Sequence, residues 1–403
     1  MSDSKDFQRV QRTGGIFFMV RTKRFQHIMD VLGARRITRP ASWFLLYLMP
    51  IAAAIAFYLF LTELGIYLSP RGHEIATGVR TINILANIGI PGINPYIPIV
   101  YGWIALVVAL VVHEGAHGVI SRSLNIPVKS SGLVFLLFVP IGAFVEPDDA
   151  AMRSARARDS LRVLGGGPGV NLVVGAISLL LLIGVVSTMV PVSNGIFVNT
   201  VFANTPAASR GLQYGDFITA VNGVPITGQQ SIVNSSWYKA GNVVNMTILR
   251  SGKTIQLLDF KLNSTGILIG IGDGDLRSTV SKYSTLTLGN IVQYACIPTL
   301  PFCQSVVPFS DQLGGFYTSP LGSYLPIVAN LLFWIYFLNF SLSIINALPI
   351  WPFDGGQAFQ IGVKALARDR LTEKGVQNIT VVATLAVAAI LLVVVLGPYI
   401  GIF

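Results

Sequence analysis

VALVVHEGAHGVI, residues 108–120, places two imidazoles and a carboxylate inside an apolar run. His113 and His117 are four residues apart, with Glu114 between them. On a helix that spacing puts both rings on one face, within reach of a single metal ion. The chain has four histidines in all, and the other two sit in different surroundings. His27 belongs to a basic N-terminal stretch and His73 to a loop beside Glu74, so solvated surface accounts for both. The flanks of the pair are apolar enough for lipid. Ionisable groups at that depth are costly and are usually retained for function.

Composition places the pair in a bilayer. Of 403 residues, 52% are hydrophobic and 11% charged, and the mean hydropathy is +0.65. Soluble domains carry about 25% charged residues. The expected class is a polytopic α-helical membrane protein of five to six transmembrane helices. Five stretches approach the ~20 apolar residues that a bilayer core demands. They are 43–64, 97–120, 163–190, 324–348 and 379–401. A further stretch at 289–309 is interrupted by three prolines and is expected to re-enter the membrane or lie on its surface. The N-terminal run GIFFMV is too short for the core of a signal peptide, so the first span is read as an uncleaved targeting signal.

The net charge of +10 fits the positive-inside rule and does not call for a nucleic-acid partner. Basic residues crowd the N-terminal region 1–42, the loop before the third span (Arg153, Arg156, Arg158, Arg162) and the loop before the last (Lys364, Arg368, Arg370, Lys374). If those segments are cytoplasmic, five crossings of a cell membrane leave the N-terminus inside. The 65–96 loop and everything between the third and fourth spans then face out. Cys296 and Cys303 fall in that outer region, where a disulfide is possible and free thiols are the alternative.

Residues 192–280 leave the membrane pattern. NVVNMTILRSGKTIQLLDF reads as a hairpin around Ser251-Gly252. The segment containing Gly211-Leu212, Gly215-Asp216, Ile218 and Val221-Asn222-Gly223 fits GLxxGDxIxxVNG and resembles the PDZ family. The resemblance implies a small β-rich extracytoplasmic insert that takes an extended peptide or chain end by strand addition. An ordinary β-rich domain without a ligand is the alternative. Earlier in the chain, SGLVFLLFVPIGAFVEPD (131–148) is too short for two spans and is interrupted by Pro140 and Gly142. It is expected to form a hairpin that dips into the membrane beside the metal, or else a short amphipathic surface element. Non-helical backbone at that depth is tolerated only where protein or water buries it.

Catalytic zinc wants three protein ligands and one open position. Asp354, within NALPIWPFDGGQ (346–357), is the best third ligand near the cytoplasmic end of another span. With zinc lowering the pKa of a water, Glu114 is placed to take its proton and pass it to a leaving amine. Asn346 and Asn171 are candidates for holding substrate or oxyanion, with helix capping after Gly-Pro as the alternative for Asn171.

HExxH in one span and N-x-x-P…P-x-D-G-G after another together resemble the site-2 protease family of intramembrane zinc metalloproteases. GAFVEPDD (142–149) and GGGPGVN (165–171) add to the resemblance, which covers about 97–190 and 320–365. Phe353 stands where many members have Leu, an apolar exchange. The resemblance implies one zinc per chain, held by His113, His117 and Asp354, with Glu114 as general base. It also implies transmembrane protein substrates and help from the two asparagines. The domain order is then the basic region 1–42, a first helix 43–64, a membrane core 97–190, the insert 192–280, an extracytoplasmic or re-entrant segment 281–319, and a membrane core 320–403. The competing classes are a PDZ-bearing membrane scaffold with a structural metal, which would need no Glu114, and a zinc transporter.

Overall fold

A computed structural model describes residues 10–14, 17–22, 25–136, 139–226, 235–263 and 269–403. The chain divides into two compact units, Met1–Leu179 with Leu331–Phe403, and Leu180–Asn330. Among the described residues five helices are long and apolar enough to cross a membrane. They are α1 (Thr38–Tyr67), α2 (Ile99–Ser123), α3 (Ala157–Ser187), α4 (Leu325–Ala347) and, after the shorter α5 (Asp354–Ala367), α6 (Glu373–Ile400).

Several helices overrun the stretches expected from hydropathy, because helical hydrogen bonding continues to the next cap whereas an apolar window stops at the first charges. The start of α6 is set by Thr372, whose hydroxyl accepts from the Gly375 amide seven residues before the expected position 379. The end of α2 is set by Asn125 in the left-handed conformation at φ +60°. The Asn125 amide bonds the Arg122 carbonyl at 3.1 Å and the Ile126 amide bonds that of Ser121 at 2.9 Å. This pair of backward bonds closes off a helix.

The first unit packs α1, α4 and α6 through Met49, Ala52, Ala56, Ile344 and Leu348, with Val387 and Leu391 against them. Ile120 and Ile126, at the end of α2, meet Val163 of α3. Small buried residues of α2, Gly102, Ala105 and Ala109, allow close helix approach, as membrane packing favours. Phe44, Tyr58, Val107, Val382 and Leu385 stay uncovered, which suits surfaces turned to lipid.

Beside α2 lies a four-stranded antiparallel sheet in the order β1 (Val10–Gly14), β2 (Phe17–Thr22), β3 (Val128–Leu136) and β4 (Val139–Pro147). The 131–148 stretch therefore pairs as two antiparallel strands, and residues 137–138 lie outside the described residues. The N-terminal region, read from the sequence only as basic, supplies the other two strands. It covers the outer edge of β3 from Phe17↔Leu136 to Thr22↔Ser131 and, among the described residues, leaves β4 as a free edge. Glu146 ties the layer together, accepting from Arg21 Nη1 at 2.8 Å and Ser130 Oγ at 2.6 Å. The helix Gln26–Gly33 anchors this region to α2. Met29 occupies the space above Gly118, and Asp30 pairs with Arg122 at 3.2 Å.

The second unit is built on a six-stranded antiparallel sheet. Its main path uses β5 (Ile196–Val201), β6 (Phe217–Val221), β7 (Val243–Arg250), β8 (Lys253–Lys261) and β9 (Ile271–Gly274) in the order β8-β7-β6-β5-β9, and Val224–Pro225 pairs with β6. Val198, Ile218, Val221, Met246, Ile248 and Phe260 form its core. The β7–β8 hairpin turns at Ser251 and Gly252, at φ +48° and +77°, the turn that matches strand twist. Asp216 of the Gly-Asp pair is fully buried and braced by Arg250, whose Nε and Nη2 each donate at 2.7 Å. Cys296 and Cys303 are joined in a disulfide. The 281–319 stretch folds into short turns within this unit and buries Tyr283, Tyr294 and Phe309. Its Phe316 ring packs on Phe197 with centroids 4.8 Å apart and covers Gly215.

Candidate metal centre

The i,i+4 pair on α2 is buried, His113 at 5% exposure and His117 at 8%. Both rings converge on one carboxylate oxygen. Asp354 Oδ2 lies 3.1 Å from His113 Nε2 and 3.3 Å from His117 Nε2. Among the described residues these three form a group whose ligand atoms all lie within 4.8 Å of one another.

Asp354 reaches this point because α4 stops at Ala347, where Pro349 and Pro352 cannot continue a helix. The chain doubles back so closely that a Cβ on Gly355 would lie 2.3 Å from the carbonyl oxygens of both Ala347 and Leu348. Glycine is required there. The Trp351 amide donates to Thr384 Oγ1 of α6 at 3.1 Å and pins the turn. Asp354 then opens α5, where the helix N-terminus favours a negative charge.

Helix α3 holds both rings from behind. His117 Nδ1 lies 2.8 Å from the Val163 carbonyl oxygen, which can only accept. A proton is therefore on Nδ1, and Nε2 is the ring nitrogen that faces the cluster. Asn171 lies 3.2 Å from His113 Nδ1 and is fully buried. It sits inside α3 and so does not cap a helix.

Whether the donor set suits a metal can be judged from Gly167. A Cβ there would stand 2.6 Å from His113 Nε2 and 2.6 Å from His117 Nε2. The missing side chain leaves a cradle at the meeting point of the ligand atoms. Two imidazoles and one carboxylate around such a space suit zinc with one position open.

Glu114 faces the sheet. Its Oε2 accepts from the Val145 amide of β4 at 2.6 Å, so the carboxylate lies between the ligand helix and the free strand edge. Asn346 is half-buried, and its amide donates to the Leu342 carbonyl one turn back in its own helix. His27 and His73 lie exposed on the short helices Gln26–Gly33 and Gly72–Arg80. Sequence reading missed Val163 and Val145, which act through backbone atoms, and Gly167, whose only signal was its place in the GGGPGVN run.

Two buried histidines and a half-buried aspartate, gathered among membrane-length helices, form a group that could hold a metal ion. The chain belongs to peptidase family M50, the site-2 proteases, whose sequence profile matches residues 101–392. It is 26% identical over 354 residues to an uncharacterised protein of Methanocaldococcus jannaschii, covering 87% of this chain and 79% of that protein. It is also 28% identical over 207 residues to the zinc metalloprotease RasP of Shouchella clausii. That match covers 47% of each chain, so this protein spans about half the length of RasP. Family membership and the five apolar helices make it a multi-pass membrane protein.

Proposed function

We propose that the protein is an intramembrane zinc metalloendopeptidase that hydrolyses peptide bonds within transmembrane segments of other proteins. The observation that carries this reading is the convergence of His113, His117 and Asp354 with Glu114 beside them and a free strand edge alongside. One zinc would be held by the three ligands, supplying Lewis acidity and a water acidic enough to deprotonate near neutral pH. Glu114 takes a proton from the attacking water. As the water oxygen bonds to the scissile carbonyl carbon, that proton passes to the amide nitrogen, and the C–N bond breaks to give an acid and an amine. Asn346, near the end of α4, is a candidate for contact with substrate backbone.

A helical substrate hides its amide bonds and must be unwound first. The edge of β4 offers a template on which an extended segment pairs by strand addition. On this reading the hairpin re-enters the membrane beside the metal. The charge pattern of the sequence supports a cytoplasmic N-terminus and an extracytoplasmic 192–280 insert. The GLxxGDxI pattern and the compact sheet support a PDZ-like module, which would admit shortened substrates or bind a freed chain end.

The test is reconstitution in liposomes with a transmembrane reporter, comparing wild type with Glu114→Gln. Cleavage by wild type alone, with zinc bound by both, is the expected result. Equal cleavage by both would refute the role of Glu114. Bound zinc with no cleavage of any transmembrane reporter would point to the scaffold, and zinc flux to a transporter.

A further inference from the structure

We infer that Asn171 is a positioning residue for His113, setting which ring nitrogen faces the metal, and that it is not a donor to substrate or oxyanion. The inference rests on the zinc reading above.

Two observations meet here. Asn171 Nδ2 lies 3.2 Å from His113 Nδ1, and Asn171 Oδ1 is buried with no hydrogen-bond partner. The residue has no exposed surface. An unpaired buried carbonyl oxygen is costly, and an amide's oxygen and nitrogen exchange places by a half-turn about the last side-chain bond. With the amide turned, Oδ1 accepts from a protonated Nδ1, and the donor Nδ2 takes the place where no donor reaches Oδ1 now. Nε2 then carries the lone pair, as a neutral metal-ligating histidine requires. His117 already has this arrangement through the Val163 carbonyl. The two rings would thus be set by one helix, α3, at positions eight residues apart, one through backbone and one through a side chain.

The alternative role fails on geometry. A donor to the reacting carbonyl must face the open coordination position, the side where His113 presents Nε2. Asn171 stands at Nδ1, the far side of the ring.

Zinc affinity, measured on the full-length protein in detergent by chelator competition, decides the matter. Asn171→Leu keeps the volume and removes the acceptor, and should weaken zinc binding about 10- to 100-fold, the usual cost of losing such a partner. Asn171→Asp keeps an acceptor oxygen and should bind zinc within a few-fold of wild type. Thermal unfolding of the metal-free forms reports folding. If the Leu variant does not fold, the same comparison of Asp with Asn171→Ala carries the test. Zinc affinity unchanged in the Leu or Ala variant while kcat falls would overturn the inference in favour of an oxyanion role, and an Asp variant as weak as Leu would also overturn it. His113→Ala separates the two layers. If it binds zinc as tightly as wild type, the metal site itself is misassigned.

Discussion

Gly167→Ala adds one methyl group to the protein and should disable the metal centre without touching a ligand. The new Cβ would lie 2.6 Å from His113 Nε2, 2.6 Å from His117 Nε2 and 2.7 Å from His113 Cε1. Against a relaxed contact of roughly 3.5 Å, that is an overlap of about 0.9 Å with both rings. The rings cannot simply withdraw, since α3, which carries the intruding methyl, also holds His117 through Val163 and lies behind His113 through Asn171. Metal–ligand distances tolerate only about 0.2 Å. Overpacking of this kind costs about 1–3 kcal/mol. If the zinc-bound state bears all of it, the zinc Kd rises about 5- to 160-fold at 1.36 kcal/mol per tenfold. Gly166→Ala is the matched control. Its Cβ would come closest to Ile120 Cδ1, at 2.5 Å, the far end of a flexible side chain, with Ala116 at an ordinary 3.7 Å. Zinc affinity by chelator competition and single-turnover cleavage of a transmembrane reporter are the assays. A Gly167→Ala protein that binds zinc and cuts like wild type, or a Gly166→Ala protein equally impaired, would refute the cradle.

Other expectations are smaller in scope. Glu114→Gln should lower kcat by about 10²–10⁴-fold with zinc affinity nearly intact, and a loss of zinc in parallel would show that the residue is structural. Asp354→Ala should remove bound zinc and activity together, checked by metal analysis of the purified protein; full zinc occupancy would exclude it as a ligand. Arg250→Leu strands the buried Asp216 carboxylate and should destabilise the second unit by about 3 kcal/mol, the low end for a broken buried pair because the arginine is partly exposed. Hydrogen exchange of β7 amides reads the loss, and adding Asp216→Asn should recover much of it; a single variant indistinguishable from wild type contradicts the brace. The Ala151 amide, then Lys129, hold the Asp148 carboxyl below the usual range. Its folded-state contribution is therefore present above the unfolded pKa of about 3.9 and is lost as pH falls through the lower folded value. Exchange of the 149–154 helix should accelerate in acid, and Asp148→Asn should abolish that dependence.

The parts legible in the sequence are those that depend on one stretch of chain at a time. A span is a run of apolar residues, and the His113–His117 pair is a helical period, so both can be read without knowing what packs on them. Asp354 is legible because two prolines and two glycines announce a stop and a tight return. The role of Asn171 is hard to read for the opposite reason. Its chemistry depends on how α3 lies across α2, and a polar residue after Gly-Pro looks the same whether it caps, faces substrate or backs a ligand. The strands β1 and β2 escape notice because each is five or six residues long and carries arginine. β2 is held by pairing with β3, more than 100 residues away in the chain, and β1 by pairing with β2. The Val145 and Val163 contacts use backbone atoms that every residue possesses.

The 2.6 Å bond between Glu114 and the Val145 amide gives β4 two claimants for one proton donor. An outward amide on a free edge is what an incoming strand's carbonyl seeks, and at this position the carboxylate already has it. On the proposed reading, a segment pairing along β4 through Val145 would displace Glu114 Oε2 from that amide. Docking of extended backbone and release of the proposed base would then be one event. A transmembrane helix that stays wound would have no strand with which to displace it, and Glu114 Oε2 would keep its bond to Val145.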